Sequence, residues 1–163
     1  MKKICLRSIV SFVLAVICFT NIAYAETLSS ISAKSIGKAV EKAIPLEFGY
    51  VDNTEYYMNR HFSKLKNADD CYIVTSAEST NFNEFGIFHF KNKSELKAAK
   101  QVLRDYLSTR KTEFESGVIY NTAEYPKFQN ATVMTFENYV CYTILTLSDL
   151  KQATLAAKEL FAR

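Results

Sequence analysis

Two apolar runs near the C-terminus, Ala131–Phe136 and Tyr139–Leu147, meet across Glu137-Asn138, and this pairing limits the fold more than any other stretch. Short runs rich in β-branched and aromatic residues read as strands. The two polar residues between them read as a hairpin turn in which Asn takes the positive φ. A two-residue loop sets the register: Phe136 opposes Tyr139, Met134 opposes Cys141 and Val133 opposes Tyr142. Val133, Thr135, Val140, Tyr142 and Ile144 then share one face of the sheet, and Met134, Phe136, Tyr139, Cys141 and Leu145 share the other. Both faces are substantially apolar. Both need cover, and helices are the cover available.

The rest of the chain supplies them. Cys71–Ala77 and Phe85–Phe90 read as a second antiparallel pair across an Asn-rich turn. Ser94 is placed to cap a helix running to about Lys111, with Leu96, Ala99, Leu103 and Tyr106 on one face. Ser148 is placed to cap the last helix, with Leu150, Ala153, Ala157, Leu160 and Phe161 inward. Upstream, Ile31, Ile36, Val40 and Ala43/Ile44 keep helical spacing until Ile44-Pro45 stops the helix. A short helix over 54–62 follows, with Thr54 as its N-cap. Ser94-Glu95-Leu96-Lys97 and Ser148-Asp149-Leu150-Lys151 open the two later helices 54 residues apart, each after a hairpin. The expected fold is α+β: a four-stranded, mostly antiparallel sheet in two β-β-α units. Its two equivalent helices lie on one face and the N-terminal helices cover an end or the back, making two or three layers.

The N-terminus has a different character. Lys2, Lys3 and Arg7 precede an apolar run from Ile9 to Phe19, and Ala23-Tyr24-Ala25 places small residues at −3 and −1 of a cleavage site. This is the layout of a secretory signal, with the cut between Ala25 and Glu26. The apolar run falls short of the roughly 20 residues that span a bilayer as a permanent helix. Residues 1–25 are thus expected to be a signal peptide, and 26–163 a single α+β domain. Removal of the signal leaves 138 residues with 17 basic and 17 acidic side chains. The pI of 8.6 belongs to the uncut chain. A balanced mature chain argues against a nucleic-acid partner, and membrane contact is expected only through the signal before cleavage.

Several stretches resemble an uncharacterised bacterial family of exported proteins, domain of unknown function family 4358. They are Asn83-Glu84-Phe85-Gly86-Ile87-Phe88, the charged helix from Ser94, the aromatic segment from Tyr120 to Phe128, and Glu137-Asn138-Tyr139 before the last helix. The resemblance covers about residues 50–161. It implies a cell-envelope or secreted location in a bacterium and brings no activity or catalytic residue with it. Many members look like lipoproteins. This chain departs from them, because Cys18 follows Ile17 and Cys5 lies in the basic start, so neither has the small residue that lipid modification requires before it.

Motifs with chemistry are few. His61 and His89 form no HExxH pair, no CxxC is present, and the four glycines make no phosphate-cradling loop, so no metal, cofactor or catalytic residue is assigned. Two cysteines remain after the signal, Cys71 and Cys141. In an oxidising compartment they form either a disulfide, contributing about 4 kcal/mol by restricting the unfolded chain, or two buried thiols. Lys93, Lys97, Lys100 and Arg104, followed by Lys111, make a basic stripe beside the apolar face of the Ser94 helix. The stripe is either a surface for an anionic envelope polymer or lipid headgroups, or a solvated flank. In the segment 114–130, Tyr120, Tyr125 and Phe128 are either exposed aromatics suited to sugars or peptides, or the plug of a short helix near 122–130. These readings favour an exported, non-enzymatic binding module whose partner is an envelope polymer or another exported protein, inhibitor or immunity partners included. The alternative is an envelope hydrolase using a carboxylate or Cys–His site. A cleft bringing His89 or Glu84 within hydrogen-bond reach of a thiol or a second carboxylate would favour the hydrolase.

Overall fold

The computed structural model describes residues 31–117 and 121–162. The expected signal peptide, its Ala25/Glu26 cleavage site and Tyr120 lie outside the described residues. Residues 32–163 form one compact unit. Its elements are α1 (Ala33–Ala43), β1 (Tyr50–Asp52), α2 (Thr54–Arg60), β2 (Asp70–Ser76), β3 (Glu84–His89), α3 (Glu95–Glu115), α4 (Tyr125–Gln129), β4 (Thr132–Phe136), β5 (Tyr139–Ile144) and α5 (Leu147–Phe161). The fold is α+β as expected, but the sheet has five strands, ordered β1-β2-β3-β5-β4 and antiparallel throughout. β1 escaped the sequence reading because it is three residues long and largely exposed, which leaves no apolar alternation to detect.

The hairpin register holds residue for residue: Phe136 faces Tyr139, Met134 faces Cys141 and Val133 faces Tyr142. The turn differs in one respect, since Glu137 carries the positive φ of 48° and Asn138 does not. Both sheet faces are covered. One face carries Ile73, Phe88, Val140, Tyr142 and Ile144, which pack with Phe62, Leu65 and the α3 stripe of Ala99, Leu103, Tyr106 and Leu107. The other carries Tyr72, Phe85, Ile87, Tyr139 and Leu145, under α1 and α5.

The expectation that the two later helices share a face is wrong: α3 and α5 lie on opposite sides. The strand pairing is nonetheless symmetric about Ile87↔Cys141, with Gly86↔Tyr142 and Phe88↔Val140 on either side. The exit from each strand breaks the symmetry. At the 54-residue offset, exposed Lys91 corresponds to Leu145, which is fully buried. Phe90 draws the first connection into the α3 core. Leu145, one residue beyond the equivalent point, draws the second to the other side. Three layers result.

Helix ends also correct the sequence reading. Ser32 caps α1 through its hydroxyl, which accepts from Ser35 N–H at 3.0 Å, and Asp70 Oδ2 accepts from Ala33 N–H at 2.6 Å, so β2 helps to seat the start of α1. At α2 the N-cap position is Asn53, and Asp52 Oδ1 accepts from both the amide and the hydroxyl of Thr54. Thr54 Oγ1 in turn accepts from Ile73 N–H at 2.9 Å, joining the helix to the sheet. Ser94 occupies the N-cap of α3 without a side-chain bond. Thr146, rather than Ser148, caps α5 by accepting from Asp149 N–H at 3.1 Å. α3 gives way at Gly117, whose φ of 78° suits a residue without a side chain.

Candidate functional site

Four of the five cations of the basic stripe gather at one groove, while Lys111 lies outside it and pairs with Glu115 at 3.8 Å. Lys97, Lys100 and Arg104 are on the flank of α3 that faces edge strand β4, and Lys93 sits in the turn just before the helix. With Leu96, Thr135 and Glu137 they line a shallow groove of about 380 Å³. α3 presents Lys97, Lys100 and Arg104 together because spacings of three and four residues return to one side of a helix. Lys100 reaches across and donates to Thr135 Oγ1 at 3.4 Å. Lys93 lies 3.8 Å from Glu137, the one carboxylate in the lining. Lys97 and Arg104 have no carboxylate partner among the described residues. Among the described residues β4 pairs only with β5, so its outer edge runs unpaired along the groove.

Tyr125 and Phe128 of the expected surface do not join this groove. Residues 122–130 form a short 3-10 turn, Thr122–Glu124, followed by α4, as the plug reading anticipates. Phe128 is 2% exposed and stacks on Phe114 with centroids 4.5 Å apart, and half-buried Tyr125 stacks on the same ring at 5.6 Å. Both therefore leave the candidate surface and enter the core beside α3. The segment is held by buried Lys127, which donates to Glu124 Oε2 at 2.5 Å and to Asn81 Oδ1 at 2.7 Å. Glu124 Oε2 also accepts from Phe82 N–H at 2.7 Å, clasping α4 to the β2–β3 loop.

Of the two readings of Cys71 and Cys141, the structure has the thiols, and both are free. Cys71 opposes Phe88 and Cys141 opposes Ile87, two neighbours in β3, so the cysteines point to opposite faces with a whole strand between them. Strands stand about 4.8 Å apart, and no rotamer bridges two such spacings through the sheet. Burial pushes both thiols upward in pKa, Cys141 to about 12. That makes them poor nucleophiles.

Sequence reasoning missed a buried polar centre. Glu84, 3% exposed, sits where β3 crosses under α3. Its Oε1 accepts from the hydroxyls of Tyr106 at 2.6 Å and Tyr142 at 2.7 Å, and its Oε2 accepts from Tyr57 at 3.2 Å. Arg110 Nη2 lies 3.9 Å from Oε2, while Arg110 Nη1 donates to Glu113 at 2.9 Å. Burial raises the Glu84 carboxyl above its ordinary range, and the Tyr106 hydroxyl, Arg110 and the other phenols pull against that rise. The same burial and the adjacent carboxylate drive the Tyr106 and Tyr142 hydroxyls upward, so they act as donors. His61, Tyr106, Arg110 and Glu113 line a cleft of about 280 Å³ outside this centre. Burial and the neighbouring arginines lower the His61 pKa. Its trace in the sequence is an acidic residue inside an otherwise apolar strand, together with tyrosines in three other elements.

This centre does not have the arrangement that would favour the hydrolase. Glu84 meets phenols and a guanidinium, not a thiol or a second carboxylate. His89, 9% exposed, packs on the Tyr139 ring at 4.8 Å, and no hydrogen bond joins it to either cysteine. No cluster of three metal-ligating side chains occurs among the described residues.

A three-layer α+β domain with a basic groove on one edge is the class defined by these observations. Residues 60–145 match the family described as Domain of unknown function (DUF4358), more than half of the chain, and the protein belongs to that family. No curated protein and no solved structure matches it.

Proposed function

We propose that this protein is an exported, non-enzymatic binding module of the bacterial cell envelope or secreted space, and that its ligand is an anionic polymer lying along the groove between α3 and β4. The observation that carries the reading is the convergence of Lys93, Lys97, Lys100 and Arg104 on one groove whose lining holds a single carboxylate. A chain with balanced charge that gathers four cations on one flank produces a local positive field even though its net charge is small. The open edge of β4 lets an extended ligand approach without displacing a strand. Export is supported by the Lys2/Lys3/Arg7 start, the apolar run and the Ala23-Tyr24-Ala25 site.

The groove is tested by titrating poly-L-glutamate against the parent and against the K97E/R104E variant at several salt concentrations. Binding weakens by about tenfold or more in the variant, with a shallower salt dependence. Equal affinity of the two proteins removes the groove from consideration. Export is tested by fractionating the native host and measuring the N-terminus by mass spectrometry. Glu26 as the first residue of an extracytoplasmic protein is expected, and a cytosolic protein still carrying Met1 refutes it.

A further inference from the structure

On the side of the sheet away from the basic groove, α5 stands off the strands. Two of the residues it presents there, Ala153 and Ala157, are small, and a cavity of about 300 Å³ remains between α5, α1 and the sheet. Its walls include Ile36, Val40, Ile87, Met134 and Phe161, with the Cys141 thiol in the floor. Protein interiors seldom leave voids much larger than a water molecule. Apolar cavities of about 150 Å³ stay dry and take up benzene, and dedicated ligand pockets begin near 300 Å³. The lining offers water few polar partners: Thr154 already donates its hydroxyl hydrogen to Leu150 C=O at 2.7 Å, and Thr143 Oγ1 is the one buried lining atom left without a partner among the described residues.

One charged residue belongs to the lining, Lys158, and it is exposed. It has no carboxylate partner among the described residues. An apolar chamber with a lone cation at its rim is complementary to a molecule with an apolar tail and a single anionic head. We propose that this cavity binds one free aliphatic carboxylate, with its tail against Ile87, Met134 and Phe161 and its carboxylate at Lys158. The site lies on the opposite face of the sheet from the α3–β4 groove and shares with it only Thr135 of edge strand β4, so it stands or falls independently of the polymer reading.

Calorimetric titration of the full chain with monomeric dodecanoate, dodecan-1-ol and dodecyltrimethylammonium tests this directly. Dodecanoate is expected to bind one per chain and most tightly of the three. K158E weakens dodecanoate by about tenfold while leaving dodecan-1-ol unchanged, and K158R retains the parent affinity. A157F, which fills the chamber, removes binding of both, and a cooperative thermal transition shows that the variant is folded. If A157F does not fold, the three headgroups and the K158E/K158R pair still decide the matter. The proposal is overturned by absence of saturable dodecanoate binding, by equal affinity for all three headgroups, or by loss of dodecanoate binding in K97E/R104E rather than K158E. Binding to phosphatidylglycerol vesicles without binding to monomeric dodecanoate overturns it as well.

Discussion

Gly86→Ala adds one methyl group, and its cost follows from a single ring. Gly86 lies opposite Tyr142 in the β3–β5 pair, and the Tyr142 ring rests across the glycine. A Cβ at position 86 would overlap Tyr142 Cε1 and stand only 3.0 Å from Cδ1 and 3.1 Å from Cζ. The ring has little room to withdraw. It is fully buried against Phe62 and Tyr106, with centroids at 5.5 and 5.3 Å, and its hydroxyl is committed to Glu84 at 2.7 Å. Overpacking of this kind costs about 1–3 kcal/mol. Weakening a buried hydrogen bond to an acidic group adds about 1–3 kcal/mol. Against this, replacing glycine at an unstrained position gains about 0.4–1 kcal/mol through the unfolded chain. The net expectation is about 1–6 kcal/mol of destabilisation, a large share of a typical domain's stability. Urea unfolding followed by circular dichroism measures it, as a midpoint lowered by about 1 M or more with an unchanged slope. The same substitution in a Tyr142→Leu background costs less by about 1.5 kcal/mol or more, since the obstructing ring is gone. A parent-like midpoint, or an identical cost in both backgrounds, refutes the reasoning.

Other expectations follow from the same packing. Burial raises the Glu84 pKa above its ordinary 4.5, so its contribution to stability is fully present below that value and is lost as pH rises through the folded-state pKa. The stability of the parent relative to Glu84→Gln therefore falls as pH increases from about 4.5, and a pH-independent difference contradicts the assignment. Thr146→Ala costs about 1 kcal/mol because it removes the α5 cap, whereas Ser148→Ala stays within about 0.5 kcal/mol; the reverse order would return the cap to Ser148. In denaturant without reductant, Cys71 and Cys141 both alkylate. In the native protein Cys141 reacts far more slowly than a free thiol, as its pKa of about 12 requires. A mass two hydrogens lower that resists alkylation disproves the free-thiol assignment.

Features set by neighbours in the chain are legible in the amino-acid order alone. The period-2 pattern and two-residue loop of Ala131–Leu147 dictate which side chains pair, and the β4–β5 register follows them throughout. The i, i+3, i+4 spacing of Ala99, Leu103 and Tyr106 identifies the buried stripe of α3, and the same periodicity gathers Lys97, Lys100 and Arg104 on one flank. Ile44-Pro45 announces the end of α1. Family membership belongs to this group too, since it rests on local runs such as Asn83–Phe88.

Long-range geometry decided the rest. Nothing near Cys71 or Cys141 in the chain reveals that β3 separates them or that they point to opposite faces, because both facts depend on which strands pair and in what register. Tyr57, Glu84, Tyr106, Arg110 and Tyr142 come from four elements, and only the packing of α2 and α3 against the β3–β5 pair lets one carboxylate collect three phenols. Whether α3 and α5 share a face turned on one position, Lys91 in one half against Leu145 in the other. A buried leucine there commits the connection to its own side of the sheet, and its weight is felt only when a core exists on that side to receive it.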